Sequence, residues 1–134
     1  KIFTSPESKA KITAEEISKK YNIPIIECEY VAEVDRSKVG FIEGDYVKLV
    51  ESYLTESDFK YEWEDINHVK NRIKKFIEKI EKEEENILII SHGMLLSILL
   101  SKYFGKNIID FWKNLGFGDI IEVDYEKLKE IWND

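Results

Sequence analysis

Residues 87–93 read Ile-Leu-Ile-Ile-Ser-His-Gly, and this stretch decides the fold class of the chain. The four consecutive apolar residues at its start are typical of a short strand buried on both faces of a parallel sheet. His92 follows this strand after one serine, and Gly93 opens an almost wholly apolar segment, predicted to be an internal helix, that runs to Phe104. In α/β proteins, ligands bind at the carboxyl edge of such a sheet. We therefore expect an α/β fold with a functional site at His92.

Strands and helices are predicted to alternate along the rest of the chain. Ala10, Ala14, Ile17 and Tyr21 share one face of the first predicted helix, and the predicted helix over 63–84 carries an apolar stripe at helical spacing. This order predicts a single domain over 1–134 with a three-layer αβα architecture and a mostly parallel sheet. The predicted strands are 2–4, 23–28, 87–90 and 119–125, the predicted helices are 7–21, 45–54, 63–84, 94–104 and 108–115, and 126–132 is either a strand or a helix. Asn22 is a plausible stop for the first helix, Asp45 is predicted to cap the second, and Tyr46 is predicted to face inward from it.

The composition is that of a globular domain and excludes several classes of partner. The 134 residues are 43% hydrophobic and 35% charged, with a formal net charge of −7. This acidic balance argues against a nucleic-acid partner, which needs a basic surface. No apolar run approaches the roughly 20 residues that span a bilayer, so no membrane partner is expected. Cys28 is the single cysteine, so no internal disulfide can form, and we expect a cytoplasmic protein in which Cys28 is a small buried hydrophobe.

The junction at His92 has the chemistry of an anion site. A helix that starts directly after His92 would present free backbone N–H groups and the positive end of its dipole. Gly93 has no side chain and would let a ligand approach the backbone closely. A lone histidine also occurs as a structural residue, and the sequence leaves that alternative open. No cluster of residues has the spacing of metal ligands, so a metal-independent site is expected.

Four segments, in this order, resemble the histidine phosphatases, a phosphoglycerate mutase-like family. They are Ile2 to Pro6 followed by Lys9-Ala10 and Thr13-Ala14, then Glu33 with Gly40 and Glu43-Gly44, then the long helix with Val69 and Arg72-Ile73, and finally Ile87 to Gly93. Any one of these matches alone is weak evidence, because short motifs of this kind also arise by chance. Their shared order over nearly the whole chain makes the resemblance specific.

The resemblance implies a metal-independent phosphatase that needs no cofactor and forms a phosphohistidine on a small phosphorylated substrate. His92 matches the second histidine of the family, which stabilises the phosphoryl group, and Gly93 follows it in the substrate site. Glu33 matches the general acid, although Asp35 or Glu29 could take that role and Glu33 could be a solvated loop residue. Ser5 matches a residue that lines the pocket, or it caps the following helix. Lys9 stands where the family usually has arginine, or it is an exposed helix lysine.

Two departures qualify the resemblance. Lys9 offers a point charge in place of a bidentate fork, so phosphate would be held less rigidly. The family's Arg-His-Gly segment, with the nucleophilic histidine, normally lies before the position where this sequence begins, so we expect the first central strand to be missing and the chain to be inactive alone. His68 lies inside a helix and fits no nucleophile context.

Several alternatives stay open at this point. They are a phosphoglycerate mutase, an inactive phosphate- or phosphoprotein-binding module, and a flavodoxin-like domain in which Ser91-His92-Gly93 is a plain turn. The segment 44–61 matches the family's lid and is short, which favours a phosphatase. Its aromatic residues could line the site or simply pack together, and the sequence also leaves open whether the protein forms a homodimer.

Overall fold

Three short parallel strands form the sheet of the computed structural model, which describes residues 1–57 and 59–133. β1 (Ile2–Thr4) lies between β2 (Ile25–Glu27) and β3 (Leu88–Ile90). Thr4 is in register with Glu27 on one side and with Ile90 on the other, so the carboxyl ends of the three strands share one edge. Position 58 of the predicted lid and position 134 of the predicted domain lie outside the described residues.

The helices have close to the predicted positions. Within the described residues they are α1 (Ser8–Tyr21), α2 (Tyr46–Leu54), α3 (Ile66–Ile80), α4 (Gly93–Leu100), α5 (Ile108–Asn114) and α6 (Tyr125–Trp132), with a 3-10 turn at Glu29–Val31. Asn22 ends α1 in the left-handed conformation, and Asp45 caps α2 by accepting from two backbone N–H groups, as the sequence predicts. The segment 126–132, for which the sequence leaves both a strand and a helix open, is part of the helix α6.

The sheet is covered on both faces, which confirms the three-layer α/β architecture. α1 contacts all three strands on one face, and its Ala10 and Ala14 are buried. Phe3 points to the opposite face, because side chains alternate along a strand, and its ring meets Phe76 of α3 edge to face at 5.8 Å. The predicted stripe of α3 is also confirmed: its buried residues are Ile66, Val69, Ile73, Phe76, Ile77 and Ile80.

Four details of the prediction were wrong. β2 and β3 lie at the edges of the described sheet and are only half-buried, because each pairs on one side alone. Tyr21, predicted to share a helix face with Ala10 and Ala14, is 61% exposed, and Tyr46, predicted to face inward, is 47% exposed. The alternating segment 119–125 forms no strand among the described residues, and Ile120 is 87% exposed. The predicted helix over 63–84 begins only at Ile66, because Asp65 caps it by accepting from Asn67.

A helix needs roughly 20 mostly apolar residues to cross a bilayer. None of the described helices combines this length with this composition.

Candidate functional site

The ends of β1 and β3 bring Ser5 and His92 together. The Ser5 N–H donates to the Ile90 carbonyl at 2.9 Å and continues the strand pairing by one residue. His92 then lies next to Ser5, with 2.8 Å between its Nε2 atom and the Ser5 hydroxyl oxygen. His92 has extended backbone angles and precedes the first residue of α4. The two residues therefore meet because they follow neighbouring parallel strands, as the sequence order predicts.

Glu7 also contacts His92 and Ser5, although the sequence alone did not identify it as a site residue. One of its carboxylate oxygens, Oε2, lies 2.7 Å from His92 Nε2. The same oxygen accepts from the Ser5 hydroxyl at 3.3 Å and from the Glu33 N–H at 3.1 Å. In the sequence, Glu7 marks only the start of the predicted helix 7–21. Its position two residues after Ser5, at the same sheet edge as His92, was the signal that could have revealed it.

The Glu33 carboxylate occupies the start of α4. Its Oε2 accepts from the Met94 N–H at 3.1 Å, and its Oε1 accepts from the Leu95 N–H at 2.8 Å and from the Val34 N–H at 3.0 Å. The sequence predicts an anion at this helix N-terminus, and an internal carboxylate is found there. An anion at this end of a helix is favoured by both the free N–H groups and the dipole.

The other two candidates for the general acid lie elsewhere. Glu29 is exposed in the 3-10 turn. Asp35 is exposed, and hydrogen bonds from the Ser37 side chain and backbone N–H hold the pKa of its carboxyl below the ordinary value. Of the three, Glu33 is the one whose carboxylate contacts the start of α4 next to His92. Which of them is the general acid stays a prediction.

A largely buried arginine holds the backbone that carries Glu33. Arg72 of α3 donates to the carbonyls of Tyr30, Ala32 and Glu33 at 2.8, 2.8 and 3.1 Å. It also makes a bidentate pair with Glu64, with both N···O distances 2.9 Å. The two side chains are 11% and 9% exposed. In the sequence, Arg72 is only part of the family resemblance, and its contact with the Glu33 segment could not be read from it.

Glu64 is the electrostatic partner in this cluster. Burial raises the pKa of its carboxyl, but hydrogen bonds from Arg72, the Asp35 N–H and His68 more than offset this, so the pKa lies below its ordinary value. His68 itself is 69% exposed on α3. It therefore lies on the surface, where its Nδ1 atom contacts the Glu64 carboxylate, and it takes no part in the contacts made by His92.

The remaining predicted site residues have fewer contacts. Lys9 is exposed on α1, and its carbonyl accepts from the Thr13 hydroxyl. Among the described residues no contact joins its side chain to His92. Gly93 lies beneath a tryptophan: a β-carbon built at this position would be 3.5 Å from Trp112 Nε1. Their roles in binding stay predictions.

Two further features bear on the chemistry. Cys28 is buried, and burial raises the pKa of its thiol, so it is poorly suited to act as a nucleophile. Among the described residues, no group of three or more histidine, cysteine or acidic side chains is placed to hold a metal ion. The groups gathered at the sheet edge are instead an imidazole, a hydroxyl, backbone N–H groups and two carboxylates, which suit anion binding and proton transfer.

A sequence model of the histidine phosphatase superfamily (branch 1) matches residues 1–131. The chain belongs to the histidine phosphatase superfamily. This match covers the segments of β1, the Glu33 region, α3 and β3 on which the resemblance was based, and it confirms that interpretation.

Three individual proteins resemble this chain in sequence or in fold. Phosphoserine phosphatase 1 of Hydrogenobacter thermophilus is 27% identical over 123 residues, which cover 83% of this chain and 57% of that protein. The structure resembles Bacillus stearothermophilus YhfR, with a TM-score of 0.64 and 21% identity over 85% of this chain and 61% of YhfR. It also resembles mycobacterial hydrolase 1, with a TM-score of 0.61 and 12% identity over 88% and 64% of the two chains. The chain thus spans less than two thirds of the length of each, and the two structures support the fold alone.

Proposed function

We propose that the whole protein hydrolyses small phosphomonoesters through a phosphohistidine intermediate. The observation that carries this proposal is the pairing of His92 Nε2 with the Ser5 hydroxyl at the carboxyl edge of the sheet, in a chain of the histidine phosphatase superfamily. In the proposed site, a protonated His92 and the Ser5 hydroxyl hold oxygens of the phosphoryl group. Charge-assisted donors of this kind stabilise the charge that spreads over those oxygens during transfer.

The nucleophile is proposed to be a second histidine supplied by the whole protein. His92 and His68 are the two histidines of residues 1–134, and His68 lies exposed on α3. The attacking nitrogen must stand in line with the leaving oxygen, at about 3–3.5 Å from phosphorus. His92 cannot meet this requirement while it also stabilises the transferred group.

Glu33 is proposed as the general acid that protonates the leaving oxygen. In this structure its carboxylate accepts three backbone N–H groups. We therefore propose that Glu33 leaves the Met94 and Leu95 amides when the substrate phosphoryl group arrives. It then takes up a proton from water or from the monoanionic phosphate and passes it to the leaving oxygen as the P–O bond breaks.

The first experiment compares two histidine variants of the whole protein. His92→Ala is expected to lower kcat/KM for p-nitrophenyl phosphate on the order of 10²–10³-fold, the loss typical when one transition-state donor is removed. His68→Ala is the matched control and should keep wild-type activity, since His68 is on the surface. Equal activity of both variants would refute the proposed role of His92.

A second experiment tests Glu33 by the nature of the leaving group. p-Nitrophenolate leaves readily without a proton, whereas the alkoxide of an alkyl phosphate needs one. Glu33→Gln should therefore reduce the hydrolysis of an alkyl phosphate far more than that of p-nitrophenyl phosphate. Phosphoserine is the first alkyl phosphate to test, because one relative is named for it. Equal losses on both substrates would mean that Glu33 only holds α4 and does not act as the acid.

A second candidate function is a module that binds phosphate without turnover. It is favoured by one observation, that the described site contains the single imidazole of His92. Phosphate binding by the whole protein without any phosphomonoesterase activity would support this alternative over the enzyme.

A further inference from the structure

The carboxylate of Glu7 is placed as an oxygen of a bound anion would be. Its Oε2 atom lies within 2.7 to 3.3 Å of three polar groups, His92 Nε2, the Glu33 N–H and the Ser5 hydroxyl. These groups come from three separate parts of the chain, the ends of β1 and β3 and the segment after the 3-10 turn. Their convergence on one oxygen is the geometry that anion sites share.

Local structure accounts for only part of this position. Ser5 lies two residues before Glu7, and its hydroxyl oxygen also accepts from the Glu7 N–H at 3.2 Å. The Glu7 carboxylate makes no cap hydrogen bond to its own helix, and its contacts with His92 and the Glu33 N–H join distant parts of the chain. The side chain is 52% exposed, so it can rotate into solvent at the cost of these contacts alone.

The same groups are the ones that the proposed function assigns to the phosphoryl group. His92 and Ser5 contact the Glu7 carboxylate and, in the proposed enzyme, the substrate phosphoryl group. A phosphoryl oxygen and a carboxylate oxygen are both anionic acceptors and cannot occupy one position, and two negative charges at this distance would repel each other.

We propose that Glu7 is an internal competitor of the substrate: its carboxylate holds one phosphoryl-oxygen position on His92, and phosphate must displace it to bind. This inference rests on the proposed function of the same site. Glu7 is then a residue that determines anion affinity. The wild-type protein should bind phosphate more weakly than a variant in which His92 and Ser5 are free of the Glu7 carboxylate.

The test is the affinity of the whole protein for inorganic phosphate, measured by isothermal titration calorimetry at constant ionic strength. Glu7→Ala should lower the Kd about tenfold, the effect of freeing one charged hydrogen-bonding position. Glu7→Gln keeps the size of the side chain but removes its charge, and it should lower the Kd as well. Glu16→Gln is the matched control, because it removes the same charge from an exposed site on α1 about 13 Å further along the helix axis.

The outcomes separate this inference from the function on which it rests. A Kd for either Glu7 variant no lower than that of Glu16→Gln overturns the inference, and Glu7→Gln decides alone if Glu7→Ala does not fold. Phosphomonoesterase activity that depends on His92 supports the proposed function whatever the Glu7 variants do. If the wild type lacks that activity, the proposed function fails, while the comparison of phosphate Kd values still decides the role of Glu7.

Discussion

Removing the Arg72 side chain should cost more stability than any other single change near the site. Arg72 makes three hydrogen bonds to the carbonyls of residues 30, 32 and 33 and two to Glu64. Both side chains of the pair are almost buried, so Arg72→Met leaves a carboxylate and three carbonyls without this donor. Breaking such a buried pair by removing one partner costs about 3–5 kcal/mol.

Two further variants divide this cost between the carboxylate and the carbonyls. Arg72→Lys keeps the charge but not the fork, so it should cost roughly 2 kcal/mol. Glu64→Gln should cost about 1–3 kcal/mol, because the guanidinium loses its charged partner but keeps its three carbonyls. If the carbonyl contacts matter, the double variant Arg72→Met/Glu64→Gln should stay well below the wild type in stability.

The measurement is urea unfolding followed by far-ultraviolet circular dichroism. Lys74→Met is the control, since Lys74 is exposed on the same helix and its loss should change the free energy of unfolding by no more than about 0.5 kcal/mol. If Arg72→Met were as stable as Lys74→Met, Arg72 would not hold the Glu33 segment, and the reasoning would be refuted.

Three further predictions concern pH, metal and turnover. The folded-state pKa of Glu64 is depressed. Its ionised carboxylate therefore stabilises the fold above the unfolded-state pKa of about 4.3, and this contribution is lost as pH falls through the folded-state pKa. Urea midpoints should fall more steeply in acid for the wild type than for Glu64→Gln, and parallel curves would contradict this. Hydrolysis of p-nitrophenyl phosphate by the whole protein should persist in EDTA, whereas activity that needs an added divalent ion would argue against a metal-independent site. Purified residues 1–134 should show no turnover beside the active whole protein, and comparable rates from both, abolished by His92→Ala or Cys28→Ala, would show that the nucleophile is wrongly assigned.

The parts of the fold that follow from short-range patterns could be predicted from the sequence. The stripe of α3, the cap at Asp45 and the stop at Asn22 depend on residues within a turn or two of each other. The meeting of Ser5 and His92 was also predictable, because both directly follow parallel strands. The alternation over 119–125 was misleading, since alternation describes an extended chain and a strand also needs a partner to pair with.

The sequence by itself determined the α/β class, the family and the presence of His92 at the edge of the sheet. Only the tertiary structure decided which carboxylate meets which donor. Glu33 reaches the α4 amides across 61 and 62 residues, and Glu7 reaches the Glu33 N–H across 26. The physical reason is that acidic side chains are alike in local pattern, and their partners are chosen by how distant segments pack.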